Sequence, residues 1–570
     1  MYSPLVSILA LALPQDPVLP VSVPGIDALI ARIGQVGAEP SANGFVYGTS
    51  RQGRELHGIE LSTGEPEDGQ PALLVVAGLT QSQAWTAPLA LDLATSLLGS
   101  NLLESTRVIV IPLANPDAYA ARFAEPSLAH GATGLGVDND RDGREGEDPP
   151  ADVNGDGFIT WMRVPDPDGP WMVDPSEPRL HVEADALEGQ RGRWRLVREG
   201  FDTDGDGEAS EDSPSDAEVN RNFAAGWEEH AARAGRYATE EPAARALALF
   251  VAGRLDIQAV LVIGEQDNLV RKPGSVADNA PDSKRVPKDG LRQSDADRLA
   301  KLAERWKEAT QLESADHAET VEAGTFQAWT YSHRGLLTLC TRPWSVPEQE
   351  DKAADAEMPP GETAENEPAA ETPTEAEAEP DAAPDPEPVE LSAEAKRLLW
   401  LESNGRPNAH LGWKTFDHPQ LGPVDIGGYR PFVLDDPSAN HVEKLGARMG
   451  SFLQQLGPDL ARIAFEDAKA EDLGSGLLDL RVTMTNTGWL PLRSQWGQRT
   501  RIQRLPRLEL VLPEGATLIA GRTVTIASDL DGGERQEFRW LVQGADPASI
   551  TVHASTDHAG EARTTFEDQQ

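Results

Sequence analysis

Short apolar runs alternate with stretches of helical periodicity along the first 346 residues of the chain. The apolar runs predict buried β-strands over residues 72–77, 107–113, 257–263 and 336–341. Between them, the spacing of apolar residues predicts helices over residues 24–36, 84–98, 241–252 and 294–311. Strands separated by helices of this length are typical of α/β domains. We therefore predict an α/β domain over residues 21–346, with a mixed β-sheet flanked by helices.

The last part of the chain has a different pattern. Residues 481–488, 507–513, 522–528 and 549–555 alternate apolar and polar positions between turn residues, and no helical pattern interrupts them. This pattern predicts a C-terminal all-β sandwich over residues 458–570. We expect the sandwich to give structural or adhesive support rather than to carry catalysis.

Two segments lie between these regions. Residues 347–391 are rich in Pro, Glu and Ala and almost free of large apolar side chains, so burial cannot offset the entropy of ordering them. We predict a disordered acidic linker there. Residues 392–457 begin with a helical pattern and are expected to return and pack on the α/β domain.

The N-terminus carries an apolar stretch at residues 5–13. It is long enough for the core of a signal peptide and too short to span a bilayer. The Lys or Arg that usually precedes such a core is absent. Residues 1–20 are therefore a possible signal peptide, with an ordinary N-terminal segment as the alternative. No other stretch predicts a membrane-spanning helix.

Composition narrows the range of partners. The 570 residues include 50 Lys and Arg against 94 Asp and Glu, which gives a formal net charge of −44. A field of that sign repels nucleic acid and anionic lipid, so we exclude both as partners. The single cysteine, Cys340, excludes an intrachain disulfide, and its apolar surroundings predict a buried thiol. The oligomeric state cannot be read from the sequence.

Several segments, in order, resemble motifs of the zinc carboxypeptidase family (the carboxypeptidase A-like fold). Residues 47–61 resemble the family's S-x-x-G-R strand pair, and residues 71–85 resemble its first metal-binding strand and turn. Further along, residues 108–119 end in N-P-D-A-Y, residues 216–227 contain N-R-N-F, and residues 324–336 follow in the same order. The resemblance spans residues 45–345. It implies the carboxypeptidase fold, a bound zinc ion and peptide substrates.

The residues expected to perform that chemistry are replaced. In the family, an H-x-x-E motif and a later His hold the zinc, and a Glu acts as general base. Here Thr80 and Gln83 stand at the H-x-x-E positions, Gly264 at the second His, and Pro343 at the general base. Thr and Gln are poor zinc ligands, and neither Gly nor Pro offers a ligand or a base. Although the family implies zinc, we therefore expect neither zinc nor a catalytic residue.

The positions that bind substrate in the family are retained. Asn220 and Arg221 match the residues that hold the terminal carboxylate, and Arg163 matches the arginine that steadies the oxyanion. Two arginines in one cleft can clamp a carboxylate without a metal. The alternative is that both arginines form structural ion pairs with nearby acids.

Three Asp-rich stretches, at residues 138–149, 152–160 and 202–213, begin like EF-hand-type calcium loops. Their twelfth positions hold Pro149, Arg163 and Ser213 instead of Glu, so Asp148 and Asp212 are expected to complete the first and third shells. Solvated acidic turns are the alternative, but repulsion among so many carboxylates favours a bound cation. The candidate calcium ligands are Asp138, Asp140, Asp142, Asp148, Asp152, Asn154, Asp156, Asp202, Asp204, Asp206 and Asp212.

Three functional hypotheses follow. The first is a secreted, periplasmic or cell-envelope pseudoenzyme that binds a carboxylate-bearing peptide or cell-wall ligand in the former catalytic cleft. The second is an active metallocarboxypeptidase with atypical metal ligands. The third is a calcium-stabilised structural or adhesion protein.

Overall fold

The structure is a computed structural model that describes residues 20–64, 68–129, 134–135, 144–146, 148–210, 217–229, 231–279, 290–312, 323–347 and 390–568. The possible signal peptide and nearly all of the acidic linker lie outside the described residues. The same holds for four of the candidate calcium ligands, namely Asp138, Asp140, Asp142 and Asp212.

The helices of the described residues are α1 (Ile26–Gly37), α2 (Thr86–Leu97), α3 (Leu102–Ser105), α4 (Pro116–Ala121), α5 (Pro242–Gly253), α6 (Gln293–Thr310), α7 (Phe326–Arg334), α8 (Ala393–Ser403), α9 (Ala439–Val442), α10 (Leu445–Leu456) and α11 (Gly497–Thr500). The strands up to residue 341 are β1 (Ala42–Thr49), β2 (Glu55–Leu61), β3 (Ala72–Val76), β4 (Arg107–Ile111), β5 (Trp161–Pro165), β6 (Trp171–Val173), β7 (His181–Glu183), β8 (Trp194–Arg198), β9 (Ile257–Ile263), β10 (Gly274–Val276), β11 (Gly290–Arg292) and β12 (Leu337–Thr341). The remaining strands are β13 (Lys414–His418), β14 (Gly422–Gly427), β15 (Ile463–Asp472), β16 (Leu477–Asn486), β17 (Arg507–Val511), β18 (Thr517–Ala520), β19 (Val524–Ile526), β20 (Arg535–Gln543), β21 (Thr551–Ser555), β22 (Glu561–Thr565) and β23 (Glu567–Asp568).

A six-stranded sheet with the order β1-β2-β4-β3-β9-β12 forms the centre of the α/β domain. Strands β4, β3, β9 and β12 are parallel, whereas β1 and β2 pair antiparallel at one edge. The apolar runs are continuous because helices cover both faces. Leu73 and Val75 face the core that contains Trp306, and Leu74 faces the core that contains Phe326. The predicted mixed sheet flanked by helices is confirmed.

A second six-stranded sheet, with the order β13-β14-β5-β8-β6-β7, was not predicted from the sequence. Its strands are three to six residues long. It joins residues 161–198 to residues 414–427, because β14 pairs with β5 across the chain. The return segment therefore does more than cover the α/β domain, since it supplies two strands to this sheet.

Helix α10 of the return segment packs on α2 through small residues. A Cβ atom at Gly446 would lie 2.6 Å from Cβ of Asp92, and one at Gly450 would lie 2.1 Å from Oγ of Ser96. Such distances leave no room for a side chain, so glycine at both positions permits the close approach of the two helices.

The C-terminal region contains two antiparallel-rich sheets, β18-β20-β16-β15-β23 and β19-β17-β21-β22, which pack around a shared apolar core. The predicted all-β sandwich is thus confirmed as a fold. Gln258 of β9 joins the sandwich to the α/β domain: its Nε2 donates to the carbonyls of Ala461 (2.8 Å) and His558 (2.6 Å), and its Oε1 accepts from Ala461 N–H. Among the described residues, every helix is too short or too polar to cross a membrane.

Candidate functional site

The carboxyl ends of the parallel strands meet at one edge of the central sheet, which is where ligands bind in open α/β sheets. Two loops line this edge, one after β3 and one after β9. We call the side chains of Thr80, Ser82, Gln83 and Glu265, together with Gly264, the strand-end centre. All but Ser82 are buried, although the centre is dominated by polar residues.

The motifs beside the centre explain how the edge is built. Asn115 ends the segment after β4, and its side chain accepts a hydrogen bond from Ala118 N–H to cap α4, with Pro116 in the first turn. Asp117 accepts hydrogen bonds from Ser50 Oγ (2.8 Å), Gln52 N–H (3.0 Å) and the Arg54 guanidinium (2.6 Å). The N-P-D and S-x-x-G-R motifs therefore hold each other in place.

Asn220 lies in a short 3-10 turn, Val219–Arg221, beside the centre. Its Nδ2 donates to Gln266 Oε1 at 3.0 Å, and its Oδ1 accepts from Phe326 N–H at 3.0 Å. Both polar atoms of the Asn220 side chain therefore already have a hydrogen-bond partner within the protein. Arg221 is 7% exposed. Both residues stay candidates for carboxylate binding.

The positions of the family's metal ligands carry no charge. Thr80 Oγ1 lies 3.3 Å from Ser82 Oγ, which donates to Glu265 Oε1 at 2.7 Å. Gln83 is 1% exposed, and neither atom of its amide has a hydrogen-bond partner among the residues that the structure describes. A Cβ atom built on Gly264 would meet no atom within 4 Å.

Zinc does not fit this donor set. A structural or catalytic zinc site requires three or four His, Cys or carboxylate ligands. Thr80, Gln83 and Gly264 offer a hydroxyl, an amide and no side chain, and Glu265 alone supplies a carboxylate. The carboxylate of Glu265 was not found by sequence reasoning. Its position directly after Gly264 is the signal that could have found it.

Pro343 follows β12 at the position of the family's general base. Its carbonyl accepts a hydrogen bond from His441 Nε2 at 2.8 Å, which ties the loop to α9. The preceding Arg342 N–H donates to Asp267 Oδ2 at 3.1 Å and so joins the loops after β9 and β12. Burial raises the pKa of Asp267, while the backbone N–H groups that it accepts from act in the opposite direction. These contacts fix the shape of the edge without supplying a base at Pro343.

The structure places Arg163 on β5 of the second sheet. Its Nε donates to Asp425 Oδ2 at 2.9 Å, and its guanidinium lies 4.9 Å from the ring centres of both Trp194 and Trp413. His181 Nε2 accepts from its Nη1 at 3.4 Å. The ion pair with Asp425 agrees with the alternative in which Arg163 forms a structural ion pair. Asn220, in contrast, contacts Gln266, which follows Glu265 of the strand-end centre.

Burial, the positive charge of Arg163 and the neighbouring His410 lower the pKa of His181 to about 4. Burial and the charge of Arg179 likewise lower the pKa of His410 to about 4, against smaller opposite effects of Glu177 and Glu402. Both imidazoles are therefore neutral at pH 7. The neutral form suits a site next to a guanidinium.

The second and third Asp-rich loops share one pattern of hydrogen bonds. Asp152 accepts from the N–H groups of Gly155 (2.8 Å) and Gly157 (2.9 Å). In the third loop, Asp202 accepts from Gly205 and Gly207 at 2.6 and 3.1 Å. All four glycines have positive φ angles between 71° and 100°, a conformation that other residues rarely adopt. Both sequences therefore fold into the same tight turn.

The third loop gains a further acid from a distant segment. One carboxylate oxygen from each of Asp148, Asp202, Asp204 and Asp206 lies within 4.8 Å of the others. We call this group the acidic cluster. Asp148 is fully buried and accepts from Thr203 N–H at 2.6 Å, whereas Asp204 and Asp206 are exposed. Sequence analysis expected Asp148 to complete the first loop. Its described contacts join it to the third.

The second loop is held differently. Glu199, fully buried, accepts hydrogen bonds from the N–H groups of Val153 (2.9 Å), Asn154 (3.1 Å) and Thr160 (3.1 Å). Burial raises the pKa of Glu199, with a smaller contribution in the same direction from Asp152, while the backbone N–H groups oppose it. Glu199 was not among the predicted residues.

Comparisons with known proteins were consistent with this architecture. The profile of the family described as zinc carboxypeptidase matches residues 39–350, and residues 462–567 match a domain of unknown function (DUF8731). The sequence comparison with curated proteins gives no match.

Among solved structures, bovine thrombin-activatable fibrinolysis inhibitor, in complex with tick carboxypeptidase inhibitor, is 14% identical, with a TM-score of 0.33; 56% of this chain and 86% of that chain are covered. Carboxypeptidase A from Helicoverpa armigera is 15% identical, with a TM-score of 0.34; the match covers 56% of this chain and 65% of that chain. Metallo-carboxypeptidase from Burkholderia cenocepacia is 13% identical, with a TM-score of 0.29; the match covers 55% and 60%.

Proposed function

We propose, on the premise that this chain belongs to the zinc carboxypeptidase family, that it binds a carboxylate-bearing peptide or cell-wall ligand without zinc-dependent hydrolysis. The observation that carries this proposal is the donor set at the strand-end centre. Thr80, Gln83 and Gly264 stand where the family has its ligands, and Pro343 stands where it has its general base. Because zinc does not fit these residues, no step is assigned to it.

Ligand binding is supported by what the centre retains. The amide of Gln83 is buried without a described partner, and open space surrounds the Cβ position of Gly264. A buried polar group without a partner costs about 1–3 kcal/mol, so such a group beside open space calls for water or a ligand. Arg221 supplies a positive charge next to Asn220, where the family binds a terminal carboxylate. The peptide class follows from the family, and the carboxylate from these two residues.

Metal analysis of the purified full-length protein tests the loss of zinc chemistry. We expect substoichiometric zinc. A stoichiometric zinc, removed by a chelator together with peptidase activity, would instead support an active metallocarboxypeptidase with atypical ligands.

Peptide binding tests the retained function. A peptide with a free C-terminus should bind more tightly than the same peptide with an amidated C-terminus, as measured by calorimetry. Arg221→Gln should reduce this preference about tenfold or more, because each charge-assisted hydrogen bond contributes roughly 1.5–3 kcal/mol. Equal binding of both peptides by the wild type and the variant would favour a structural or adhesion protein.

Calcium binding is a second candidate property. The convergence of four carboxylates in the acidic cluster favours it, because their mutual repulsion is relieved by a divalent cation. Carboxylate oxygens are the preferred ligands of Ca²⁺. We propose one calcium ion at the acidic cluster, with the loop at residues 152–157 as a weaker site.

Export from the cytosol is proposed on the same ground. Loops that lack the bidentate Glu at position 12 are expected to bind calcium weakly, and weak sites fill only at extracellular calcium levels. The apolar stretch at residues 5–13 agrees with a secreted, periplasmic or cell-envelope protein. Detection of the tagged protein in cell fractions tests this localisation.

A further inference from the structure

A groove of about 520 Å³ opens between the N-terminal segment, the end of α4 and the return segment. Its volume lies within the range of about 300–1,000 Å³ that is usual for small-molecule sites. Its lining includes Val21, Val23 and Phe123, together with Arg406, Arg430 and Phe432 of the return segment. We call it the arginine groove.

The charge of this groove is opposite to that of the whole chain. Three arginines, Arg122, Arg406 and Arg430, line it together with a single acid, Asp436. The whole chain carries a formal net charge of −44. A concentration of positive charge in so acidic a protein attracts anions to one place on its surface.

Two of these arginines are already committed within the fold. Arg122 pairs with Asp436 Oδ2 at 2.5 Å and lies 4.0 Å from the ring centre of Phe432. Arg406 donates to the backbone carbonyls of Val433 and Asp436. These two hydrogen bonds do not pair its charge with a carboxylate. Burial lowers the pKa of Arg406, while Asp436 acts to raise it, so an additional anion nearby would favour the charged form.

Arg430 is the arginine that is free to take a ligand. Its side chain is exposed and forms no ion pair or hydrogen bond with any residue that the structure describes. The guanidinium lies 4.9 Å from the ring centre of Phe158, which holds it in a defined orientation at the groove. Stacking of this kind leaves the in-plane N–H groups available for a carboxylate.

The remaining lining is apolar. Phe123 is 43% exposed, although it is a large aromatic residue, and Val21 and Val23 are half-buried beside it. Phe158 is fixed by the second Asp-rich loop, because its N–H donates to Asp156 Oδ1 at 3.0 Å. Burial of apolar ligand surface here would favour binding.

We propose that the arginine groove is a binding site for a small organic carboxylate with an apolar body. Arg430 anchors the carboxylate, and Phe123 with the two valines receives the apolar part. Arg430 and the other lining residues of the return segment lie beyond residues 39–350, the part that matches the family. The site is therefore distinct from Asn220 and Arg221, and it does not depend on the function proposed above.

Calorimetry with octanoate tests the proposal on the full-length protein. Octanoate should bind at one site, whereas 1-octanol and acetate, which each lack one half of the ligand, should bind at least tenfold more weakly. Arg430→Gln should weaken octanoate binding about tenfold or more. The matched control is Arg563→Gln on β22, an exposed arginine of the sandwich without an ion pair among the described residues, which should bind octanoate like the wild type.

Phe123→Ser provides a second, independent variant. It should weaken octanoate binding and leave acetate binding unchanged, and an unchanged thermal unfolding midpoint would exclude loss of the fold as the cause. Octanol binding as tightly as octanoate, or equal affinities of the Arg430→Gln and Arg563→Gln variants, would overturn the proposal. Neither result would alter the binding of a C-terminal peptide through Arg221, so the two proposals fail separately.

Discussion

The strand-end centre and the acidic cluster are two places among the described residues where a metal ion would be expected, the first from the family and the second from its carboxylates. The first sits in the rigid core, at the edge where the family holds zinc, yet Glu265 is its sole carboxylate. The second lies in loops outside the central sheet, yet it gathers four carboxylates. The edge at which the family resemblance places a metal and the group of carboxylates that could hold one therefore lie in different places.

The energetics of the two sites differ accordingly. At the strand-end centre the side chains other than Glu265 are neutral, and the side-chain amide of Gln83 is buried without a described partner. At the acidic cluster, like charges lie within 4.8 Å of one another, and their repulsion has to be offset by hydrogen bonds, solvent or a cation. A chelator should therefore have no effect on stability through the first site, whereas it should lower stability through the second.

The largest expected effect is the restoration of zinc binding. We expect the triple variant Thr80→His, Gln83→Glu, Gly264→His to bind zinc stoichiometrically, because it places three zinc ligands at the carboxyl ends of β3 and β9. Open space at the Cβ position of Gly264 leaves room for the new imidazole. Metal analysis after dialysis measures the zinc. The control is the same variant with Asn in place of both His residues, which should bind none. A folded triple variant without zinc would mean that the framework has changed.

Calcium removal should have the next largest effect. A ligand present at one hundred times its Kd stabilises a fold by about 2.7 kcal/mol, so a chelator should lower the unfolding midpoint of the wild type measurably. The double variant Asp204→Asn, Asp206→Asn should unfold at the same midpoint whether or not calcium is present. Asp417→Asn, an exposed acid on β13, serves as the matched control and should respond to calcium like the wild type. If the chelator leaves the wild-type midpoint unchanged, the acidic cluster is a set of solvated turns.

The contacts of Arg163 provide a test of what stabilises the second sheet. We expect Arg163→Gln to destabilise the protein by about 2 kcal/mol, because it leaves the partly buried Asp425 without its ion pair and removes contacts with two tryptophans. Peptide affinity should not change. Urea unfolding and calorimetry measure the two quantities. A loss of peptide affinity with normal stability would return Arg163 to the ligand site.

The central sheet could be predicted because its signal is local. The apolar run at residues 257–263 coincides with β9, and the run at 72–77 ends one residue beyond β3. The positions expected to hold metal ligands could also be located, since each lies within a short motif, and the loss of zinc stays a prediction. The expected signal of a His, Glu or Cys was simply absent from the sequence at Thr80, Gln83 and Gly264.

Long-range pairing accounts for what could not be predicted. Strands β6 and β7 have three residues each, which is too short for a periodic signal, and β14 reaches β5 across most of the α/β domain sequence. The surroundings of Arg163 follow from that pairing, so its contacts with Asp425 and the two tryptophans could not be predicted from the sequence. The contact of Asp148 with Thr203 of the third loop could not be predicted for the same reason, because 55 residues separate the two.

The smallest expected effect is a pH dependence of the second sheet. His181 has a folded pKa of about 4, below the unfolded value of about 6.5, so the unfolded chain binds more protons between these values. Stability should therefore fall as the pH is lowered from about 6.5 towards 4, and His181 should contribute about 1 kcal/mol between pH 7 and 5 after allowance for solvent screening. Urea midpoints at the two pH values should differ less for His181→Gln than for the wild type. Equal pH-dependent losses in both proteins would show that folding does not lower the pKa of His181. The imidazole would then be charged beside Arg163 at pH 5, and the neutral form inferred from its burial would be wrong.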